Sequence, residues 1–206
     1  TIVDDGRPRF GGTDRKNNNF NDVLILKNTD EGYTYNFTAQ LQRNVPMGLG
    51  FNLAYTYGVA KDQNSVLSSQ ALSQIRFNPI SDNPNTPPLT TSSFDLEHRA
   101  FASVSYNIEF FANSPTTFSF FYNYQSGRPF SFTINGDLNN DGFNGNDLFF
   151  IPGSNADVLL GAITGGAYVP NAQMYTDLFA FIDNNEYLSA NKGTMSKRNG
   201  ARNPWN

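Results

Sequence analysis

The sequence predicts an all-β fold: a segment of an antiparallel transmembrane β-barrel, incomplete as a barrel, with long extracellular loops and one short loop helix. Three observations predict it. Runs of about ten residues alternate apolar and polar side chains with a period of two, the pattern of strands that present two chemically different faces. The connections between those runs alternate between very short and very long. Aromatic residues reach 15%, with 19 Phe and 10 Tyr, while all hydrophobic residues together make only 38%. That balance suits an aromatic-rich surface better than an aliphatic soluble core.

The first run places Tyr33, Tyr35, Phe37, Ala39 and Leu41 on one face and Thr34, Asn36, Thr38, Gln40 and Gln42 on the other. After a turn at residues 44–48 the alternation resumes with Leu49, Phe51, Leu53, Tyr55, Tyr57 and Val59 against Gly50, Asn52, Ala54, Thr56 and Gly58. This reads as a hairpin. A second hairpin sets Ala100, Ala102, Val104, Tyr106, Ile108 and Phe110 against a mostly polar set, with Phe101 as the exception. It turns at residues 111–115 and returns through Phe118, Phe120, Tyr122 and Tyr124. The turn positions predict Tyr35 near Tyr57 and Tyr106 near Tyr122 on a common face. Asp22 to Lys27 reads as an earlier strand, and Phe130 to Thr133 as a continuation.

The stretches 61–94 and 134–205 are long and rich in Asn, Ser, Pro and Gly, which is unusual between strands of a compact soluble domain. Short turns at one end and long loops at the other are characteristic of outer-membrane barrels. Within the last stretch, Met174, Leu178, Phe181 and Ile182 recur at helical spacing, predicting a short helix over 173–187. The Thr-, Asn-, Gln-, Ser- and Gly-rich face suits a hydrated lumen. Tyr33, Tyr35, Tyr55, Tyr57, Tyr122 and Tyr124 fall toward the long-loop ends, as an interfacial aromatic girdle requires. The same tyrosines read alternatively as a core between two sheets of a sandwich.

Composition removes several function classes. The chain has no cysteine, so disulfides, thiolate metal sites and Cys nucleophiles are excluded. A net charge of −4 and a pI near 4.9 argue against a nucleic-acid surface. No stretch approaches the roughly 18 to 20 apolar residues of a transmembrane helix, and mean hydropathy is −0.46. Neither observation weighs against a barrel, whose strands alternate. The start, Thr1 to Gly6, has no basic or apolar leader segment.

The most specific local motif is Asp137-x-Asn139-x-Asp141-Gly142-Phe143, followed by Asp147. Side-chain oxygens at positions one, three and five, Gly at six and a carbonyl at seven match the first half of an EF-hand Ca²⁺ loop. Position twelve is Leu148 instead of the bidentate Glu, and the carboxylate sits one residue early at Asp147. The candidate Ca²⁺ ligands are therefore Asp137, Asn139, Asp141, Phe143 and Asp147, against the plainer reading of a polar turn. For catalysis the chain offers little, and it is not expected to be an enzyme. His98, the single histidine, lies at a strand mouth beside Asp95, Glu97 and Arg99, where a structural role outweighs a general base. Ser126-Gly127-Arg128-Pro129 lacks the Gly two residues before the Ser that a nucleophile elbow needs, and Gly161 to Gly166 lacks the Lys of a phosphate loop.

The blocks Asp95-Leu96-Glu97-His98-Arg99, Tyr124-Gln125-Ser126-Gly127-Arg128-Pro129-Phe130, Asn135-Gly136-Asp137-Leu138-Asn139-Asn140-Asp141-Gly142 with Gly145-Asn146-Asp147-Leu148 and Ile151-Pro152, and Arg198-Asn199-Gly200-Ala201-Arg202-Asn203-Pro204-Trp205 occur in that order. Together they resemble the late barrel region of TonB-dependent outer-membrane receptors of the Oar-like and SusC-like type, over roughly residues 95 to 205. Residues 1–94 agree in pattern only. The resemblance implies a many-stranded barrel plugged by an N-terminal domain, set in outer-membrane lipid. It implies import of an unidentified nutrient or peptide, energised by the TonB complex through that plug, with a surface lipoprotein as a further partner. On this reading the chain, residues 1–206, is a fragment: the plug, the TonB-contacting segment and the final strands are expected outside it, and its five or six strands fall short of the roughly eight that close the smallest barrels. The rival reading is a secreted β-sandwich module for adhesion or for Ca²⁺ or carbohydrate binding.

Overall fold

The computed structural model describes residues 5–10, 19, 25, 27–81 and 83–204. The strand expected at Asp22 to Lys27 lies largely outside them. Strands dominate over helices, the sheets are antiparallel, and no described helix is long and apolar enough to cross a membrane.

Four long strands form the frame: β1 (Tyr33–Val45), β2 (Leu49–Asp62), β4 (His98–Phe111) and β5 (Ser114–Gln125), hydrogen-bonded in the order β1-β2-β4-β5. The two-residue β3 (Thr90–Thr91) pairs with the end of β2. Both hairpins turn at one end of this sheet, so the start of β1, the end of β2, the start of β4 and the end of β5 all lie at the other.

The predicted faces hold across all four strands. Phe37 pairs with Tyr57, Leu53 with Ala102, and Ala102 with Tyr122, giving one continuous aromatic and aliphatic face. Thr38 pairs with Thr56 and Asn52 with Ser103 on the opposite face, where the Thr38 and Thr56 hydroxyls lie 2.9 Å apart and Gln40 Nε2 donates to Asn52 Oδ1 at 2.9 Å. Phe101 and Phe121 stand on this polar face opposite Asn123 and Ser103.

The register within each hairpin differs from the prediction. Tyr35 pairs with Val59 and Tyr57 with Phe37; Tyr106 pairs with Phe118 and Tyr122 with Ala102. The first strand continues to Val45, leaving a three-residue turn. In the second hairpin the turn is only Ala112-Asn113, made possible by Asn113 in the left-handed region at φ 65°, with an irregularity between Glu109 and Phe111. Pro115, which marked the turn in the sequence, lies inside β5, an edge strand of this sheet where a missing N–H is tolerated. Both differences are even numbers of residues, so every side chain keeps its face.

The buried core is not on the sheet. Tyr35, Phe37, Leu41, Leu53, Tyr55, Tyr106, Phe118, Phe120 and Tyr122 are all exposed, and among the described residues no second sheet covers them. The fully buried hydrophobic residues, including Ile151, Ile182 and Leu188, come instead from the stretches that read as loops. These stretches fold into a cap at the open end of the sheet. It contains α1 (Ala71–Arg76), β6 (Pro129–Phe130), β7 (Phe150–Ile151), the β8–β9 hairpin (Gly161–Thr164 and Ala167–Pro170), α2 (Ala172–Asp183), α3 (Glu186–Ala190), β10 (Thr194–Met195) and β11 (Ala201–Arg202).

The predicted loop helix is thus two helices. The Asn171 side chain caps α2 by accepting from the N–H groups of Gln173 and Met174, and Asn185 caps α3 by accepting from Leu188. The inward residues of α2 are Leu178, Phe179 and Ile182, which pack with Phe132, Phe149 and Tyr187; Phe181, half exposed, meets Phe132 edge-on, and Met174 is exposed.

Candidate functional site

Three places carry the chemistry of the described residues: the junction between sheet and cap, the Asp/Asn/Gly loop, and a cavity inside the cap. The junction is built by the C-terminal segment. Arg198 Nη2 donates to Asp62 Oδ1 at 2.7 Å and Nη1 to Ser65 Oγ at 3.0 Å. Ser65 Oγ also donates to the Asp62 carboxylate and accepts from the Ser93 N–H at 2.9 Å, so that hydroxyl is saturated. Asn199 Nδ2 donates to the Thr91 carbonyl at 2.8 Å and to Ser93 Oγ at 3.0 Å. Arg202 pairs with Asp95, and its Nε lies 3.2 Å from Glu97.

Asp95 in turn accepts the Ala60 N–H of β2, and β11 pairs with β6 through Ala201 and Phe130. Gly127 is obligatory here, because a Cβ would lie inside the van der Waals shell of the Asn203 carbonyl. The sequence blocks around Asp95, Gly127 and Arg198 are therefore one interlocked structure. Arg198 and Asp95 are the buried members of these pairs, each with extra hydrogen bonds, and such partly buried networks favour one arrangement of the chain over many.

His98 lies in the tyrosine row. Its Nδ1 is 2.8 Å from the Tyr55 hydroxyl, its ring stacks on Tyr55 with centroids 6.1 Å apart and meets Tyr57 at a tilt with centroids 5.6 Å apart, and Glu97 is 3.8 Å from Nε2. These contacts orient the ring against its neighbours.

The loop from Asp137 to Asp147 brings together some of its candidate ligands and separates one. Asp137 accepts from the N–H groups of Asp141 at 3.0 Å and Gly142 at 2.9 Å. Asn139 Oδ1 accepts from the same Asp141 N–H at 3.0 Å, and Asn139 Nδ2 donates to Asp141 Oδ2 at 3.0 Å. The N–H of Phe143 bonds back to Asp141 Oδ1 at 2.9 Å. Gly142 takes φ 90°, the left-handed turn the sixth position requires.

Asp147 is turned elsewhere. Its carboxylate, fully buried, pairs with Arg7 through Oδ1 and accepts the Leu138 N–H at 2.6 Å through Oδ2. No group of three or more His, Cys, Asp or Glu side chains converges among the described residues. Sequence reasoning missed two participants here. Arg7 comes from the distant N-terminal segment and is buried against Asp147 and the Leu148 carbonyl. Asn146 donates to Asp141 Oδ2 at 2.9 Å and carried no signal beyond its place beside Asp147.

The cavity, of about 350 Å³, is lined by apolar residues such as Ile75, Pro79, Leu89 and Leu148 and by polar and charged ones, Gln74, Lys197 and Arg198 among them. Two polar side chains on its wall, Asn78 and Thr90, hold buried oxygens without a hydrogen-bond partner. A chamber with apolar walls and a few polar and charged groups is a common form of a small-molecule site.

A scan against protein-family models and searches of curated proteins and solved structures return no match to this chain.

Proposed function

We propose that this chain forms part of the wall and extracellular cap of an outer-membrane β-barrel receptor, of the TonB-dependent Oar-like and SusC-like type its sequence blocks resemble. The observation that carries the reading is the uncovered aromatic face of the four-stranded sheet combined with a structured cap at one end only. Soluble monomers rarely leave so continuous an apolar face in water. Acyl chains would cover it, with Tyr33, Tyr35, Tyr55, Tyr57, Tyr122 and Tyr124 at the level of the outer headgroups. The opposite face, with its Thr, Asn and Gln side chains, would line water.

On this reading the cap faces outward, and the chamber lined by Ile75, Leu89, Lys197 and Arg198 is where an imported small molecule or peptide end would first be held. Energy for import would come from the TonB complex through a plug supplied elsewhere in the receptor, and a surface lipoprotein would close over the cap. The chain's part is binding and passage, with no bond made or broken.

The test is a pair of substitutions in the full-length protein. Leu53→Arg puts a charge on the aromatic face, which costs about 2 to 4 kcal/mol at the middle of a bilayer, whereas Thr38→Arg leaves its charge hydrated. The expected outcome is outer-membrane fractionation of the unmutated protein with heat-modifiable gel mobility, loss of the folded band for Leu53→Arg, and its retention for Thr38→Arg. Equal tolerance of both, or recovery of the folded protein in the aqueous fraction, refutes a membrane wall.

A further inference from the structure

Three Asn-Gly dipeptides occur in the chain: Asn135-Gly136, Asn144-Gly145 and Asn199-Gly200. Asparagine before glycine readily loses its side-chain amide, because a residue without Cβ lets its backbone nitrogen approach the preceding side chain. The reaction has two structural requirements. The Asn side chain must be free to turn toward its own backbone, and the N–H of the next residue must have no acceptor, so that it can shed its proton. Sequence makes the three pairs equal.

The fold makes them unequal. Asn199 is 7% exposed. Its Nδ2 donates to the Thr91 carbonyl and to Ser93 Oγ, its Oδ1 accepts from the Ser131 hydroxyl at 3.5 Å, and the Gly200 N–H donates to the Lys197 carbonyl at 3.0 Å. Both requirements fail there. Asn144 is exposed, but the Gly145 N–H donates to the Gly136 carbonyl at 3.3 Å, so one requirement is met and the other is not. Asn135 is exposed, and among the described residues neither its side chain nor the Gly136 N–H has a hydrogen-bond partner. A Cβ built on Gly136 would meet nothing within 4 Å, so the attacking residue stands in open space.

We propose that Asn135 is a site of spontaneous deamidation, and that the fold withholds the same chemistry from Asn144 and above all from Asn199. The Gly136 nitrogen gives its proton to base and bonds to the carbonyl carbon of the Asn135 side chain. The amide C–N bond breaks, and its nitrogen takes up a proton and leaves as ammonia. Water then opens the cyclic imide. Opening at the side-chain carbonyl gives aspartate; opening at the backbone carbonyl gives isoaspartate, whose chain runs on through the side-chain carbon. Water is the only co-reactant.

The place of the site gives the change a consequence. Just before it, the Ile134 N–H donates to the Asp147 carbonyl at 2.9 Å, and just after it the Gly136 carbonyl accepts from Gly145. Isoaspartate adds a carbon to the backbone between these two bonds, and a carboxylate beside Asp137. The base of the Asp137 loop is thereby loosened. This inference does not depend on the membrane reading.

The test holds the full-length protein in mildly alkaline buffer, reads its peptides at intervals by mass spectrometry, and counts isoaspartate by labelling with an isoaspartyl methyltransferase. Asn135 should convert before Asn144 and at least about tenfold faster than Asn199, whose reaction waits on local opening of the junction. In denaturant the three rates should draw together. Gly136 lies outside the left-handed region, so Gly136→Ala keeps the fold, and its new methyl should slow conversion of Asn135 by about tenfold or more. Amide exchange at Ile134 and Gly145 should be faster in converted molecules than in unconverted ones. No conversion at Asn135, or conversion of Asn144 or Asn199 as early as Asn135, overturns the proposal. An unchanged lead of Asn135 in denaturant overturns it too, because local sequence would then set the order.

Discussion

Replacing Arg7 by Ala tests whether the cap is held by a buried charge pair between segments 140 residues apart in the chain. The Arg7 side chain is 2% exposed and that of Asp147 0%. With Arg7 gone, Asp147 keeps one hydrogen bond, from the Leu138 N–H at 2.6 Å, and the Leu148 carbonyl loses the Arg7 Nη2 donor. Removing one member of a buried pair leaves an uncompensated charge and costs about 3 to 5 kcal/mol.

The cost falls on the cap, not on the sheet, and exchange of cap amides is the readout. The Ile134 N–H bonded to the Asp147 carbonyl at 2.9 Å and the Leu148 N–H bonded to the Ile80 carbonyl at 3.1 Å open only when the cap loosens. Their exchange should quicken roughly 100- to 5,000-fold at neutral pH, at about 1.4 kcal/mol per tenfold, while amides in the middle of β2 and β4 remain unchanged. The double change Arg7→Ala with Asp147→Ala should cost less than the sum of the two single changes, by about 1 to 3 kcal/mol. Acceleration below tenfold, or additive single changes, would refute the reasoning. Lys192→Ala, which removes the exposed Lys192–Asp183 pair, should change cap exchange by less than about 1 kcal/mol.

Two further outcomes follow from the packing. Ile182→Ala empties a fully buried position between α2 and the Ile151–Leu188 core and should destabilise the cap by about 2 to 5 kcal/mol, read as faster exchange in α2 and α3 with the sheet unaffected. Gly127→Ala forces the Asn203 carbonyl away, so limited trypsin digestion should cut at Arg198 or Arg202 well before it does in the unmutated protein; an unchanged cleavage time would mean that the C-terminal segment is not pinned there.

The two-faced strands were legible because alternation is a local property: which face a side chain takes depends only on whether its position is odd or even. Pairing errors of two and four residues left the aromatic face intact. Register itself depended on turn geometry. Pro115 and Pro46 suggested where the chain reverses, yet the left-handed Asn113 and the irregularity after Glu109 set the second hairpin. The cap was not legible. Ile80, Leu148, Ile151, Ile182 and Leu188 come from scattered segments with no common period, so Asn, Ser, Pro and Gly dominated the reading and suggested open loops.

What the sequence by itself determined was the chemistry available: an aromatic face, an amide-rich face, and an oxygen-rich loop beginning at Asp137. What only the tertiary structure decided was which neighbours those groups meet. Residues 146–148 run extended, tied by the Ile80 N–H to the Asn146 carbonyl at 2.8 Å and by the Ile134 N–H to the Asp147 carbonyl at 2.9 Å. Adjacent side chains on an extended backbone point to opposite sides. Asp147, which motif spacing offers to the ion, therefore turns to Arg7, and Asn146 turns to Asp141. Spacing along the chain counts residues, but the backbone pairing at Ile80 and Ile134 chooses the side, and those partners are brought in from parts of the chain that no local pattern connects.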